Sequence, residues 1–158
     1  MTLTTCNIQD LDDFISGANK DGLILFSLGS IVQAKDMPDE VRQKFLNVFS
    51  RLKQRVLWKW ETGEMAGLPS NVRVSKWLPQ QDILGHANTK LFITHGGLLS
   101  TLEATYHGVP LIGVPIFGDQ DLNMAQAERG GYALTIEILT MTEEKLENAI
   151  HQILNSKQ

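Results

Sequence analysis

Six short runs of aliphatic, β-branched or aromatic residues recur along this chain with helix-like stretches between them, and that alternation limits the fold more than anything else in the sequence. The runs are "LILFSL" (23–28), "RVLWKW" (55–60), "VRVS" (72–75), "LFIT" (91–94), "LIGV" (111–114) and "YALT" (132–135), and each reads as a strand. Between them, Val41, Phe45, Val48, Phe49 and Leu52 follow the i, i+4, i+7, i+8, i+11 spacing of an amphipathic helix, with Asp36 and Pro38 as start signals. Leu146, Ala149, Ile150, Ile153 and Leu154 repeat the pattern in a helix begun near Thr140 or Thr142, and a third helix runs over 98–107, closed by Gly108 and Pro110. Strands that alternate with helices pair in parallel, so the expected fold is a mostly parallel α/β sheet with helices on both faces. No repeat, low-complexity tract or long linker interrupts it. The stretch "ETGEMAGLPSN" (61–71) reads as an exposed connection.

Parallel sheets of this kind take ligands outside the carboxyl ends of their strands. Candidate site residues therefore stand just after the runs, in "GS" after the first, "KWLPQQD" after the third, "HGG" after the fourth and "PIFGDQ" after the fifth. At the fourth junction Gly96 and Gly97 lack Cβ atoms, so a ligand can approach the main chain where a helix begins. The unsatisfied amides of that first turn favour an anion. His95 adds a donor, Ser100 and Thr101 add hydroxyls, and Glu103 offers a carboxylate to vicinal ribose hydroxyls. Together these spell a nucleotide; a tight strand-to-helix turn with His95 as a turn residue is the plainer alternative. At the third junction Trp77 precedes Pro79, placed for a base to stack on it, with Gln80 beside it for edge hydrogen bonds; a core tryptophan under a loop is the other reading. Trp58 and Trp60, on a strand, read as core. Asp119 and Gln120 open another helix, where they suit either an N-cap or the hydroxyls of a sugar. Ser27, Gly29 and Ser30 form a loop that suits phosphate, sugar or an ordinary turn.

Composition closes off other classes. The 158 residues suit one domain, and 42% hydrophobic with 20% charged is ordinary for a globular protein. A net charge of -4 with dispersed charges argues against a nucleic-acid partner. Cys6 is the only cysteine, which excludes an internal disulfide and a multi-thiolate metal site. No run approaches the roughly 20 apolar residues of a membrane span, and the signature of a signal peptide is absent, so the chain reads as soluble with no membrane contact of its own.

The segments "FSLGS" (26–30), "KWLPQQDILGHANTKLFITHGG" (76–97), "EATYHGVPLIGVPIFGDQ" (103–120) and the "LNMA" after them resemble the UDP-glycosyltransferases, in the form found in invertebrates, and the likeness covers nearly the whole chain. The resemblance implies a single domain over 1–158, the Rossmann-like C-terminal half of a GT-B glycosyltransferase, without the N-terminal acceptor domain and the membrane anchor. It implies that Trp77 stacks on uracil while Gln80 and Glu103 hold base and ribose. His95, Gly97, Ser100 and Ser30 would hold the diphosphate, and Asp119, Gln120 and Ser27 would face the sugar. Leu99 departs from the family, where many members carry asparagine, and cannot donate a hydrogen bond. UDP-sugar is then the donor substrate, with no cofactor and no metal expected. The enzyme would invert the anomeric carbon of a hexose, glucose favoured and glucuronic acid possible, on transfer to small lipophilic acceptors, a detoxification chemistry. This half would stabilise the leaving UDP, while the base lies in the missing domain, so the chain is expected to bind donor without turnover. The full-length protein is expected in the endoplasmic-reticulum membrane with this domain lumenal.

His86, His107 and His151 read as cap, turn and surface residues rather than as replacement bases. A free-standing donor-binding subunit of an N-acetylglucosaminyltransferase that pairs with a membrane partner would share the fold, as would a non-catalytic UDP-sugar sensor. A nicotinamide-dependent dehydrogenase is disfavoured, because "FSLGS" lacks the GxGxxG glycines.

Overall fold

A computed structural model describes residues 8–30 and 33–156. All six expected runs are strands: β1 (Leu23–Ser27), β2 (Arg55–Lys59), β3 (Val72–Ser75), β4 (Thr89–Thr94), β5 (Leu111–Gly113) and β6 (Ala133–Thr135). They form one sheet in the order β3-β2-β1-β4-β5-β6, and every neighbouring pair is parallel. This is the doubly wound order whose direction of winding reverses between β1 and β4.

Among the described residues six α-helices flank the strands: α1 (Ile8–Ser16), α2 (Asp39–Ser50), α3 (Gln80–Leu84), α4 (Leu98–Tyr106), α5 (Gln120–Arg129) and α6 (Glu143–Asn155). The helix expected from Val41 to Leu52 is α2, entered through Pro38, and α6 takes Thr142 as its N-cap, with the Lys145 N–H donating to the threonine hydroxyl at 3.1 Å. α1 and α3 were not among the expected elements. The Leu11, Phe14, Ile15 spacing of α1 suits a helix, whereas α3 is too short for periodicity to reveal.

Alternation along the strands divides the core. Ile24, Phe26, Val56, Trp58, Leu91, Ile93 and Ile112 face α2 and α6, while Leu23, Leu25, Leu57, Phe92 and Leu111 face the layer of α1, α3, α4 and α5. On the first face Phe26, Phe45, Phe49, Trp58 and Trp60 form one aromatic cluster, with Phe26 stacked on Trp58 at a centroid distance of 4.7 Å. Trp58 and Trp60 are core residues, as expected. Among the described residues, the buried Trp58 Nε1 has no hydrogen-bond partner. α6 is fastened to α2 by Arg51, which reaches Glu147 at 2.9 Å and Glu143 at 3.2 Å, and by Asn47 donating to Glu143 at 2.7 Å. Hydrogen bonds from Arg51 and Asn47 hold the Glu147 and Glu143 carboxyls below the usual carboxylate range. Among the described residues, no helix is long and apolar enough to cross a membrane.

Candidate functional site

Every junction singled out in the sequence lies at the carboxyl edge of this sheet, and the β1 and β4 junctions meet at the reversal point. β4 ends in Thr94, after which Gly96 takes φ 88 and Gly97, at φ -61 and ψ 143, is the N-cap of α4. The turn is held from two sides. Thr94 Oγ1 accepts the Gly96 N–H at 3.3 Å, and buried Asn123 on α5 donates its side-chain amide to Gly96 O at 3.0 Å. The first helical bond runs from the Thr101 N–H to Gly97 O, and Gly97 offers no side-chain cap, so the amides of Leu98, Leu99 and Ser100 lack intrahelical acceptors. Leu99 is exposed, and its backbone contribution to that turn survives the loss of a polar side chain.

The glycines differ from expectation in what they admit. A Cβ on Gly96 would stand 2.7 Å from Met124 Cγ, and a Cβ on Gly97 would stand 2.6 Å from His95 Nε2. The space is taken by the chain's own side chains rather than left for a ligand. Gly29, at φ 81, closes the other side of the His95 ring, since a Cβ there would meet Cε1 at 2.7 Å. The imidazole therefore occupies a slot between the β1 and β4 loops. Burial lowers its pKa from the ordinary value, Asp119 opposes that shift and Lys59 adds to it. Lys59, at the end of β2, donates to Gly29 O at 2.8 Å and so holds one wall of the slot.

Glu103, one turn and a half into α4, is gripped from α3. Gln80 Nε2 donates to Glu103 Oε2 at 2.7 Å and to Ser100 Oγ at 3.2 Å, and Gln81 Nε2 donates to Glu103 Oε1 at 3.1 Å. Trp77 is 66% exposed, so the core reading of this tryptophan is wrong. Its backbone is fixed by buried Ser75, whose hydroxyl donates to Trp77 O at 2.8 Å. An exposed indole on a fixed backbone is a stacking surface.

The remaining candidates divide. Asp119 is the N-cap residue of α5 yet its carboxylate makes no capping bond, which removes the capping explanation and leaves it exposed at the edge. Gln120 is buried and turned inward, its Oε1 accepting the N–H groups of Ile116 at 2.8 Å and Phe117 at 3.1 Å. Ser27 is also buried and its hydroxyl accepts the Gly29 N–H at 3.3 Å, so both side chains shape loops. Ser30 is exposed at the end of the β1 loop. His86 accepts the Asn88 N–H on Nδ1 in a turn, His107 is the C-cap residue of α4, and His151 sits on the surface of α6 beside Glu147. None of the three reaches the carboxyl edge. Ser75, Lys59, Gln81, Thr94 and Asn123 were not singled out in the sequence. Gln81 and Asn123 lie within quoted motifs, but only the packing of helices reveals what they touch.

The structure resembles solved glycosyltransferases. One, a glycotransferase of kitacinnamycin, superposes with a TM-score of 0.76 at 28% identity over 85% of this chain and 35% of that one. Another, Os79 from O. sativa in complex with U2F and trichothecene, gives 0.80 at 20% identity over 96% and 36%. The fold is thus the Rossmann-like parallel sheet with helices found in GT-B glycosyltransferases. The chain belongs to the family described as "UDP-glucoronosyl and UDP-glucosyl transferase", whose model matches residues 5–158. Among its relatives are "UDP-glycosyltransferase UGT5" of Dactylopius coccus, 44% identical over 93% of this chain and 28% of that protein, and "UDP-glucuronosyltransferase 2A3" of Mus musculus, 42% identical over 93% and 27%. The chain spans under a third of the length of these relatives.

Proposed function

We propose that this chain binds the UDP-sugar donor of an inverting UDP-glycosyltransferase, one domain of a protein whose acceptor pocket and base lie in an N-terminal domain. The observation that carries the reading is the sequence of groups along one sheet edge: exposed Trp77, the Gln80–Glu103 pair, the open α4 amides and slotted His95. Uracil stacks on Trp77, Glu103 and Gln80 take the ribose hydroxyls, and the α4 amides with His95, Ser100 and Ser30 receive the diphosphate. Asp119 faces the donor hexose, with buried Gln120 and Ser27 shaping the loops around it.

In transfer, an acceptor hydroxyl deprotonated elsewhere attacks the anomeric carbon in line, and negative charge grows on the departing UDP. The α4 amides and the imidazole are already aimed at that charge, so they stabilise it without reorganising. Glucose is the favoured donor sugar and glucuronate its competitor; the description of the family names both. The acceptors are small lipophilic molecules, and the full-length protein works on the lumenal side of the endoplasmic reticulum. Without the partner domain the chain binds donor and does not turn over.

Calorimetric titration with UDP, UDP-glucose, UDP-glucuronate and NAD tests the reading, together with Trp77→Ala. UDP binding weakened by about 1–3 kcal/mol in the variant, with the fold intact, is the expected result. Binding of NAD in preference to UDP would overturn it.

A further inference from the structure

Gln81 belongs to none of the roles assigned above, yet it makes one of the three side-chain bonds that join α3 to α4. Gln80 and Gln81 are consecutive on a helix of five residues, and their amides reach opposite oxygens of one carboxylate. Gln80 is shared: its Nε2 also donates to Ser100 Oγ, so it can exchange partners when a ligand arrives. Among the described residues, the Gln81 side chain bonds only to Glu103 Oε1, from an exposed position.

From this asymmetry we propose that Gln81 is the positioning residue for ribose recognition, fixing the plane of the Glu103 carboxylate so that both oxygens present a free lone pair to the vicinal hydroxyls. The proposal rests on the assignment of Glu103 to the ribose. A glutamate side chain has three rotatable bonds, and reading two neighbouring hydroxyls at once requires one orientation of its terminal group. A carboxylate oxygen has two lone pairs. Gln81 takes one on Oε1 and leaves the other, whereas a carboxylate without this anchor must be ordered by the ligand itself. Ordering a side chain of this kind on binding reduces affinity by roughly two- to ten-fold. Gln81 contacts neither the base nor the phosphates in this role, so its effect has to travel through the ribose hydroxyls alone.

The test compares UDP with 2′,3′-dideoxy-UDP on the wild-type chain, Gln81→Ala, Gln81→Met and Glu103→Ala, with thermal melting as the check on folding. Wild type should prefer UDP, and Glu103→Ala should reduce that preference to the part Gln80 supplies. Gln81→Ala and Gln81→Met should each weaken UDP by roughly two- to ten-fold and leave the dideoxy ligand unchanged. Combined with Glu103→Ala, they should produce no further loss. Equal weakening of both ligands, or none of UDP, overturns the role of Gln81. A wild-type chain that binds both ligands alike instead overturns the ribose assignment of Glu103, and the proposal with it.

Discussion

Replacing Gly97 by alanine adds one methyl group against the His95 ring. At φ -61 and ψ 143 the position accepts alanine without backbone strain, so contact alone decides the outcome. The new Cβ would lie 2.6 Å from His95 Nε2 and 2.9 Å from Cε1, against 3.4 Å for ordinary contact, and the ring must retreat by about 0.8 Å. It cannot retreat toward Gly29, because it already fills the place a Cβ would occupy there. The ring therefore turns out of the slot, and the bond we propose it makes to the diphosphate is lost. A hydrogen bond between an imidazole and a charged phosphate contributes roughly 1.5–3 kcal/mol, so UDP affinity should fall about ten- to a hundred-fold. Stability should change far less, because a side chain moves rather than the backbone; the lost preference for glycine at an N-cap lowers the melting temperature by at most about 2–4 °C. Calorimetry on Gly97→Ala, His95→Ala and the double variant measures this. The two single losses should match and should not add. Wild-type affinity in Gly97→Ala, or losses that sum in the double variant, would refute the argument that this glycine serves the histidine.

The pKa of His95 in the free chain is lowered chiefly by burial, and an arriving diphosphate favours the charged ring, so UDP binding should take up a proton and tighten as the pH falls toward and below 6.5. Without ligand the sign reverses: the unfolded histidine protonates near 6.5 while the folded one resists, so stability should fall on acidification below that point, and His95→Gln should remove both effects. Glu143 and Glu147 have lowered pKa values in the folded chain, so their contribution is present above the ordinary carboxylate value of 4.5 and lost as the pH falls through the folded values; Arg51→Ala should flatten that acid limb in melting experiments at low salt. Trp58→Ala should cost about 3–5 kcal/mol in denaturant unfolding, and Trp58→Phe markedly less, because the indole N–H it discards has no partner to lose.

The sheet was legible because each strand is an apolar run bounded by breakers, and burial on both faces demands such runs of a parallel strand. The long helices were legible from their period. α3 was not, since five residues hold little more than one turn and no period can establish itself. Residues that announce themselves by type, His95, Trp77 and Asp119 after strand ends and Glu103 early in a helix, were found at the expected edge. Residues whose importance lies in what they touch were not. Gln81 and Asn123 are ordinary helix residues until α3 and α5 pack beside α4, and Lys59 is an ordinary strand end until the β1 loop lies over it.

By itself the sequence determined the order of the strands and long helices, the family and the sheet edge that carries the candidate site, because periodicity, breakers and linked motifs are local in the chain. Tertiary structure alone decided how the site is made rigid. It put Trp77 in the open and turned Gln120 and Ser27 inward, and it filled the space beside Gly96 and Gly97 with Met124 and the His95 ring. Those outcomes depend on contacts between residues far apart in sequence, where packing density and hydrogen-bond satisfaction, rather than local propensity, set the position of each side chain.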